Sequence, residues 1–204
     1  MRNKINFKMF NRDELSLALS TLDKNKDTNI LVDEIGKLYY YDDKFYVAFW
    51  NGIFSQWYHS PFQVYSTNYK NAEQYMMHMK AKLFNDEEIA EQIISKSNPK
   101  IIKALGRKIR NFNEEIWNEE KVGIVKTGNF HKFKQNQKLL DDAKLLWERK
   151  PTFVEGSPFD KIWGVGIHFN DDEINNPDNW QGENLLGVAL NEAFSMLDQM
   201  GMMN

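Results

Sequence analysis

The sequence predicts an α+β fold: a helix-rich single domain with a small antiparallel sheet or hairpin near its N-terminus. Two observations favour this class. Before residue 60, short runs rich in aromatic and β-branched residues are typical of strands. After residue 70, apolar residues recur at the spacing of one helix face. A chain of 204 residues is long enough for one substantial hydrophobic core, and no repeat or linker divides it.

The N-terminal part of the chain predicts one helix followed by strands. The helix begins at Asn11 or Asp13 and ends before the polar stretch DKNKDTN. The strands are NILVDEI, KLYYY and FYVAFW, and Asp42-Asp43 forms the turn between the last two. Asn51-Gly52 separates FYVAFW from IFSQWY and predicts a second hairpin, because both central residues of a type I′ turn need positive φ.

The remainder predicts helices joined by short connections. The predicted helices cover residues 71–84, 87–96, 99–110, 113–130, 131–147 and 184–197. Pro99 suits the first turn of its helix, where the missing N–H has no partner to lose. Residues 150–178 contain three of the 5 prolines. This segment predicts an ordered loop with one short strand, IWGVGIHF.

Composition restricts the possible functions. The net charge of −3 gives no global attraction to nucleic acid, so any such contact needs a local basic patch. With no cysteine, disulfides and thiol catalysis are excluded. No signal peptide and no run of about 18 apolar residues is present, which predicts a cytoplasmic protein without a membrane partner. The 4 histidines are scattered without metal-ligand spacing, so no metal is predicted.

The interval between Glu73 and Lys80 is the most informative local feature. Residues seven apart project from nearly the same face of a helix, so a carboxylate and an amine share one stripe. Met76 and Met77 lie between them. This mixture suits the floor of a pocket; the alternative is a half-buried helix whose two charges reach the surface.

Two loop segments also carry chemistry. FSQWYHSPF, residues 54–62, places polar side chains among aromatic ones, as in nucleoside sites; the alternative is a β-edge segment that packs its aromatic rings inward. SPFDKIWGVG, residues 157–166, sets Asp160 and Trp163 beside Gly164, whose backbone can approach a ligand closely. The alternative interpretation of this segment is a turn in which the aspartate caps backbone N–H groups and the tryptophan packs in the hydrophobic core.

Basic side chains form two clusters that could hold phosphates. Lys100, Lys103 and Arg107 share one helix face. A second cluster contains Lys126, His131, Lys132, Lys134 and Lys138. The alternative for both is a solvated basic face. Carboxylates, one lysine and aromatic walls together suit cleavage of a sugar–base bond, since a carboxylate stabilises an oxocarbenium-like state and a desolvated lysine can form a Schiff base.

These residues resemble the NADAR (NAD- and ADP-ribose-associated) family of YbiA-like proteins. The shared blocks are FWNGIFSQWYHSPF, YKNAEQYMMHMKAKLF, IIKALGRKIRNF, IWNEEKVGIV, KFKQN, SPFDKIWGVG and WQGENLLG. They follow the family order from Phe49 to Leu190. The resemblance implies an N-glycosidase domain over residues 45–204, with residues 1–44 as an extension packed on it. Some members act on phosphorylated riboflavin-pathway intermediates, and others remove ADP-ribose from guanine.

The resemblance also implies roles for individual residues. Catalytic roles fall to Glu73, Lys80 and Asp160, in one site with Trp163. Substrate-binding residues are Phe54, Ser55, Gln56, Trp57, Arg107, Trp163, Gly164 and Asn184. No cofactor is implied. Riboflavin-pathway members show Ser-Asn-Phe where this chain has Ser55-Gln56-Trp57, which puts that substrate in doubt.

The expected reaction is cleavage of the bond between ADP-ribose and guanine. The substrate is ADP-ribosylated guanine in a nucleoside, nucleotide or DNA, with transient nucleic-acid contact through the basic patches. Two alternatives stay open: the same chemistry on a riboflavin intermediate, and a non-catalytic module that binds ADP-ribose or related NAD metabolites.

Overall fold

The structure is a computed structural model that describes residues 3–7, 12–22 and 28–203. In chain order the elements are β1 (Asn3–Phe7), α1 (Arg12–Thr21), β2 (Thr28–Val32), β3 (Gly36–Tyr41), β4 (Lys44–Phe49), β5 (Phe62–Val64), β6 (Thr67–Tyr69), α2 (Ala72–Leu83), α3 (Glu87–Ser95), α4 (Pro99–Gly106), α5 (Glu114–Gln135), α6 (Gln137–Trp147), β7 (Thr152–Glu155) and α7 (Leu185–Gln199). The predicted α+β class is confirmed.

The described residues form two compact units. The first contains those up to Ser55 and those from Lys138 onward; the second is Gln56–Gln137. Residues 28–41, inside the predicted extension 1–44, contribute β2 and β3 to the same sheet as β4. The division into an extension and a domain from residue 45 stays a prediction.

The first unit is built on a five-stranded mixed sheet in the order β1-β2-β3-β4-β7. The three predicted strands correspond to β2, β3 and β4, which form an antiparallel meander. Asp42 and Asp43 form the predicted turn between β3 and β4, both with positive φ. The sheet extends beyond this meander, because β1 pairs in parallel with β2 and β7 pairs in parallel with β4.

The hairpin predicted at Asn51-Gly52 is wrong. Gly52 does take positive φ, but β4 is already paired with β3 on one edge and β7 on the other. The backbone N–H of Ile53 instead donates to the carbonyl oxygen of Glu34 at 2.7 Å. A Cβ at position 52 would lie 2.0 Å from that oxygen, so only glycine fits this approach.

The strand predicted at IWGVGIHF is also wrong, because residues 162–169 form bends and turns. Gly166 has φ +72, which interrupts an extended backbone. The strand of this region lies just upstream, at β7. The N–H of Val165 bonds to the oxygen of Glu155 at 3.0 Å, which holds the loop onto the end of that strand.

Helix α2 is the central element of the second unit. It packs against α3, α4 and α5, and residues 72–77 are buried on every side. Tyr75 packs with Phe62 and Tyr69 of the β5–β6 hairpin, at centroid distances of 6.0 and 5.1 Å. This first half of α2 presents its side chains to protein rather than to solvent, which is unusual for a segment that carries a glutamate, Glu73.

Several helix ends differ from the predictions. Helix α5 continues to Gln135 instead of ending at 130, because Asn136 caps it by donating to the oxygens of Lys132 and Pro61. Helix α4 ends at Gly106 rather than 110. Helix α1 begins at Arg12, with Asp13 inside the first turn rather than at the cap; Asn11, the other predicted cap, lies outside the described residues.

Two glycines of α5 are expected to respond oppositely to alanine. A Cβ at Gly128 would lie 2.7 Å from Cδ1 of Tyr75, whereas one at Gly123 meets nothing within 4 Å. Gly128→Ala should therefore lower the free energy of unfolding by about 1–3 kcal/mol through overpacking. Gly123→Ala should raise it by about 0.5–1 kcal/mol through backbone entropy. Urea unfolding of both variants measures this, and a Gly128→Ala protein as stable as the wild type would contradict the packing described.

Candidate active site

The first turn of α2 is fixed by six hydrogen bonds. Asn71 is its N-cap, and its side chain accepts from the N–H of Gln74 at 2.9 Å. The N–H of Glu73 donates to the carbonyl oxygen of Gln56 at 3.0 Å. The Gln74 amide in turn accepts from Lys70 N–H and donates to backbone oxygens at the end of α3. The backbone that carries Glu73 is thus held from both sides.

Glu73 is a buried carboxylate, only 3 % exposed. It lies in the first turn of α2, where the positive end of the helix dipole favours a negative charge. Met76 and Met77, which follow it, are buried as well. A buried acidic residue on a central helix is uncommon in a merely structural role, so its burial supports a functional one.

Lys80 lies two turns further along α2, between two aromatic rings. Its Nζ lies over the ring of Phe112, 4.3 Å from the centroid, and over that of Trp117, at 5.0 Å. Phe112 packs in turn against Phe84, the C-cap residue of α2, at 5.2 Å. The ring faces attract the ammonium form, while burial lowers the pKa of Lys80 from its ordinary value. A lowered pKa leaves more of the amine neutral and nucleophilic at a given pH.

Sequence reasoning missed both rings beside Lys80. It placed the aromatic walls in the segment FSQWYHSPF, residues 54–62. Phe112 lies in the connection between α4 and α5, and Trp117 lies in the first turn of α5, so neither has a spacing that relates it to α2. The available signal was their presence in the shared blocks IIKALGRKIRNF and IWNEEKVGIV.

The other predicted residues of the second unit differ in exposure. Gln56 is buried, and Trp57 is 40 % exposed. Arg107 is exposed just after the end of α4. Arg110 binds Asp86 through its backbone N–H, Nε and Nη2, and this partner holds the pKa of the Asp86 carboxyl far below its usual range. Of these two arginines, Arg110 is therefore occupied by a structural ion pair, and the phosphate role predicted for Arg107 stays a prediction.

The remaining predicted residues lie in the first unit. Phe54 is fully buried against Phe49, Phe153 and Phe194, which favours a packing role over the predicted ligand contact. The N–H of Ser55 donates to Gly52. Gly164 is buried where a Cβ would lie 2.7 Å from the oxygen of Glu155.

The side chains of Asp160 and Asn184 both form hydrogen bonds with backbone groups. Oδ1 of Asp160 accepts from the N–H groups of Ile162 and Trp163, at 3.0 and 2.8 Å, as in the cap alternative. Trp163 is half-buried. Asn184 stands at the N-cap position of α7 in a left-handed conformation, but its side chain makes no cap hydrogen bond. It binds β7 instead, through the N–H of Glu155 and the oxygen of Phe153.

Lys132 was predicted to be part of a basic surface cluster, and that prediction is wrong. Its side chain is fully buried, with Nζ 5.2 Å from the centroid of the Phe133 ring and 5.9 Å from that of Tyr58. Burial lowers the pKa of Lys132 to about 7. The helical position of Lys132 on the buried face of α5, with Val125 and Gly128, was the signal that could have revealed this.

The buried amine predicts a pH-dependent stability. Between pH 7 and 10.5 the unfolded chain holds a proton on Lys132 that the folded protein lacks, so stability should rise with pH across this window, by at most about 1.4 kcal/mol per pH unit. Lys132→Met should flatten the rise. Urea unfolding at pH 7 and 9 measures it, and Lys134→Met, at an exposed neighbour, should keep the wild-type slope. Equal slopes for the wild type and Lys132→Met would contradict the prediction.

Comparison with known proteins places the chain in a family. The family model for the NADAR domain matches residues 44–198. The chain belongs to the NADAR family. This NADAR protein is 45 % identical over 144 residues to the N-glycosidase R617 of Acanthamoeba polyphaga mimivirus, covering 68 % of this chain and 83 % of that protein. It is also 37 % identical over 125 residues to Protein irg-1 of Caenorhabditis elegans, covering 59 % of this chain and 57 % of the relative.

The fold of the NADAR protein is similar to a solved structure. The NMR structure of Escherichia coli YbiA matches with a TM-score of 0.62 and 23 % identity, covering 79 % of this chain and 89 % of YbiA. At that identity the likeness concerns the fold alone. In the described part of the NADAR protein, no helix is long and apolar enough to cross a membrane. Within the same residues, no three His, Asp or Glu side chains could hold a metal ion.

Proposed function

We propose that this NADAR protein is an N-glycosidase that hydrolyses the bond between ADP-ribose and guanine. The observation that carries the proposal is the composition of α2: a buried carboxylate, Glu73, and an amine with a lowered pKa, Lys80, on one helix face. The relative named N-glycosidase, at 45 % identity, supports the reaction class. The finer assignment to ADP-ribosylated guanine comes from the family resemblance.

The chemistry follows from the two groups. Nζ of Lys80, as the neutral amine, attacks C1″ of the ribose, and the electron pair of the C1″–N bond leaves with guanine, which takes up a proton. The carboxylate of Glu73 stabilises the positive charge that develops on the sugar. The amine, now bonded to C1″, loses a proton, the C1″–O4″ bond opens while O4″ takes up a proton, and a protonated imine to Lys80 results. Water, activated by Glu73 as the base, then adds to C1″ of this imine; the C1″–Nζ bond breaks, ADP-ribose leaves and the amine is regenerated.

The roles of the other predicted residues belong to the same proposal. Asp160 would orient the ribose hydroxyls or a water molecule, through the oxygen that does not cap the turn. Trp57 and Trp163 would stack on base or adenine, and Arg107 would bind the diphosphate, since an arginine can bind phosphate oxygens bidentately.

The decisive experiment measures products from purified protein. ADP-ribosylated guanosine and an ADP-ribosylated guanine oligonucleotide are incubated separately, and mass spectrometry follows ADP-ribose and unmodified base. The proposal is supported if the wild type releases more ADP-ribose and more unmodified base than the Lys80→Met variant does. Release of ribose 5-phosphate from a phosphorylated aminouracil nucleotide instead would favour the riboflavin-pathway alternative. Tight ADP-ribose binding without any product would favour the binding module.

A further inference from the structure

Gln56 has a feature that the proposed chemistry does not explain. It is 9 % exposed, and among the residues that the structure describes neither its Oε1 nor its Nε2 has a hydrogen-bond partner. Buried polar side-chain atoms in folded proteins are nearly always paired, and an unpaired amide lowers stability. A ligand that supplies the missing partners is one reason for a protein to retain such an amide.

The backbone of Gln56 is bound to the backbone of Glu73, the proposed catalytic carboxylate. Its carbonyl oxygen accepts the hydrogen bond from the N–H of Glu73 at 3.0 Å, so the two residues are neighbours across the first turn of α2. A second hydrogen bond, from Ser60 N–H to the oxygen of Lys70 at 3.1 Å, holds the other end of the segment. The Gln56 amide is therefore carried on a backbone segment that hydrogen bonds fix to the first turn of α2, the turn that contains Glu73.

An amide side chain offers one donor next to one acceptor, which matches a ligand edge with an adjacent carbonyl and N–H. The lactam edge of guanine, O6 with N1–H, is such a group. We propose that the Gln56 amide binds this edge of the departing base, with Nε2 donating to O6 and Oε1 accepting from N1–H. This inference rests on the proposed function and names the group that selects the base.

Both amide atoms are shielded from solvent, so a base reaches them only when neighbouring side chains move. Trp57, the next residue, is 40 % exposed, and the proposed binding requires its ring to take another rotamer. Its ring is also large and flat enough to stack on a purine. Gln56 would then form hydrogen bonds with the edge of the base, and Trp57 would stack on its face.

Calorimetry with two nucleosides tests the proposal. Inosine keeps the lactam edge and lacks the 2-amino group; 2-aminopurine riboside keeps the amino group but has neither O6 nor N1–H. The wild type should bind inosine more tightly. Gln56→Leu should lose at least about 10-fold in inosine affinity and change little with 2-aminopurine riboside. Gln56→Glu should also bind inosine more weakly, since a carboxylate cannot donate to O6.

Thermal unfolding provides the fold control. Leucine is similar in size and removes an unpartnered amide, so Gln56→Leu should unfold at the wild-type temperature or higher. A large drop would assign the amide a structural role and overturn the proposal. Wild-type inosine affinity in Gln56→Leu, or a wild type that binds inosine no better than 2-aminopurine riboside, would overturn it too. Base selectivity without ADP-ribose release would reject the proposed reaction and keep the base site.

Discussion

Replacing Lys80 with methionine is expected to lower the rate of ADP-ribosyl–guanine cleavage at least about 10²-fold. The change removes the amine but keeps an unbranched side chain that can still pack against Phe112 and Trp117. Binding of ADP-ribose should change much less than kcat, because the amine acts on the sugar carbon in the reaction rather than on the whole ligand. Single-turnover product release, followed by chromatography, measures the effect.

A matched control lies on the same helix. Lys82 is exposed, and its amine forms a surface ion pair with Glu87 at 2.6 Å. Lys82→Met removes the same charge two residues away and should leave the rate near that of the wild type, since exposed ion pairs contribute little to stability. Full activity of Lys80→Met would remove Lys80 from the mechanism.

Two further measurements separate bond formation from charge placement. Borohydride added during turnover should reduce the imine and leave an ADP-ribose adduct on Lys80, which peptide mass spectrometry locates. Lys80→Arg keeps a positive charge but is not a nucleophile near neutral pH, so it should be as inactive as Lys80→Met. Substantial activity in the arginine variant, without an adduct in the wild type, would instead show that Lys80 only places a charge.

The second large effect is expected at Glu73. Glu73→Gln keeps the size of the buried side chain and removes its negative charge, so the rate should fall by about 10²–10⁴-fold, as is typical when a general base is lost. ADP-ribose affinity, measured by calorimetry, should stay near that of the wild type. Glu91→Gln, at an exposed position on α3, is the matched control and should keep full activity. Wild-type turnover in Glu73→Gln would leave the carboxylate without a chemical role.

Local signals predicted α2 well. Asn71 at the cap, Glu73 in the first turn and the apolar spacing of the helix act within a few residues, so they can be read from the sequence. The three strands of the β2, β3 and β4 meander were predicted for the same reason, since its turns join neighbouring strands. The resemblance to the family, whose shared sequence blocks occur here in the same order, then indicated which of these residues belong to a site.

Contacts between distant segments could not be predicted in this way. β7 pairs with β4, although more than half of the chain's length separates the two strands in sequence. Nothing in the four residues of β7 indicates which strand they pair with. The rings that contact Lys80 come from the α4–α5 connection, which carries Phe112, and from α5, which carries Trp117. Lys132 stands among basic residues that look solvent-exposed, and only the packing of α5 shows that it is buried.

The enclosure of α2 bears on how this chain could change its substrate. Glu73 lies in the half of the helix that is buried, residues 72–77, where most substitutions disturb packing, and Lys80 lies in the partly buried turn that follows. Gln56, Trp57, Phe112 and Trp117 come from segments that only border that helix. Mutation can therefore alter the choice of ligand at the border while the reacting groups stay unaltered. Proteins that diverge from this fold in that way would keep the same reaction and differ in the substrate they bind.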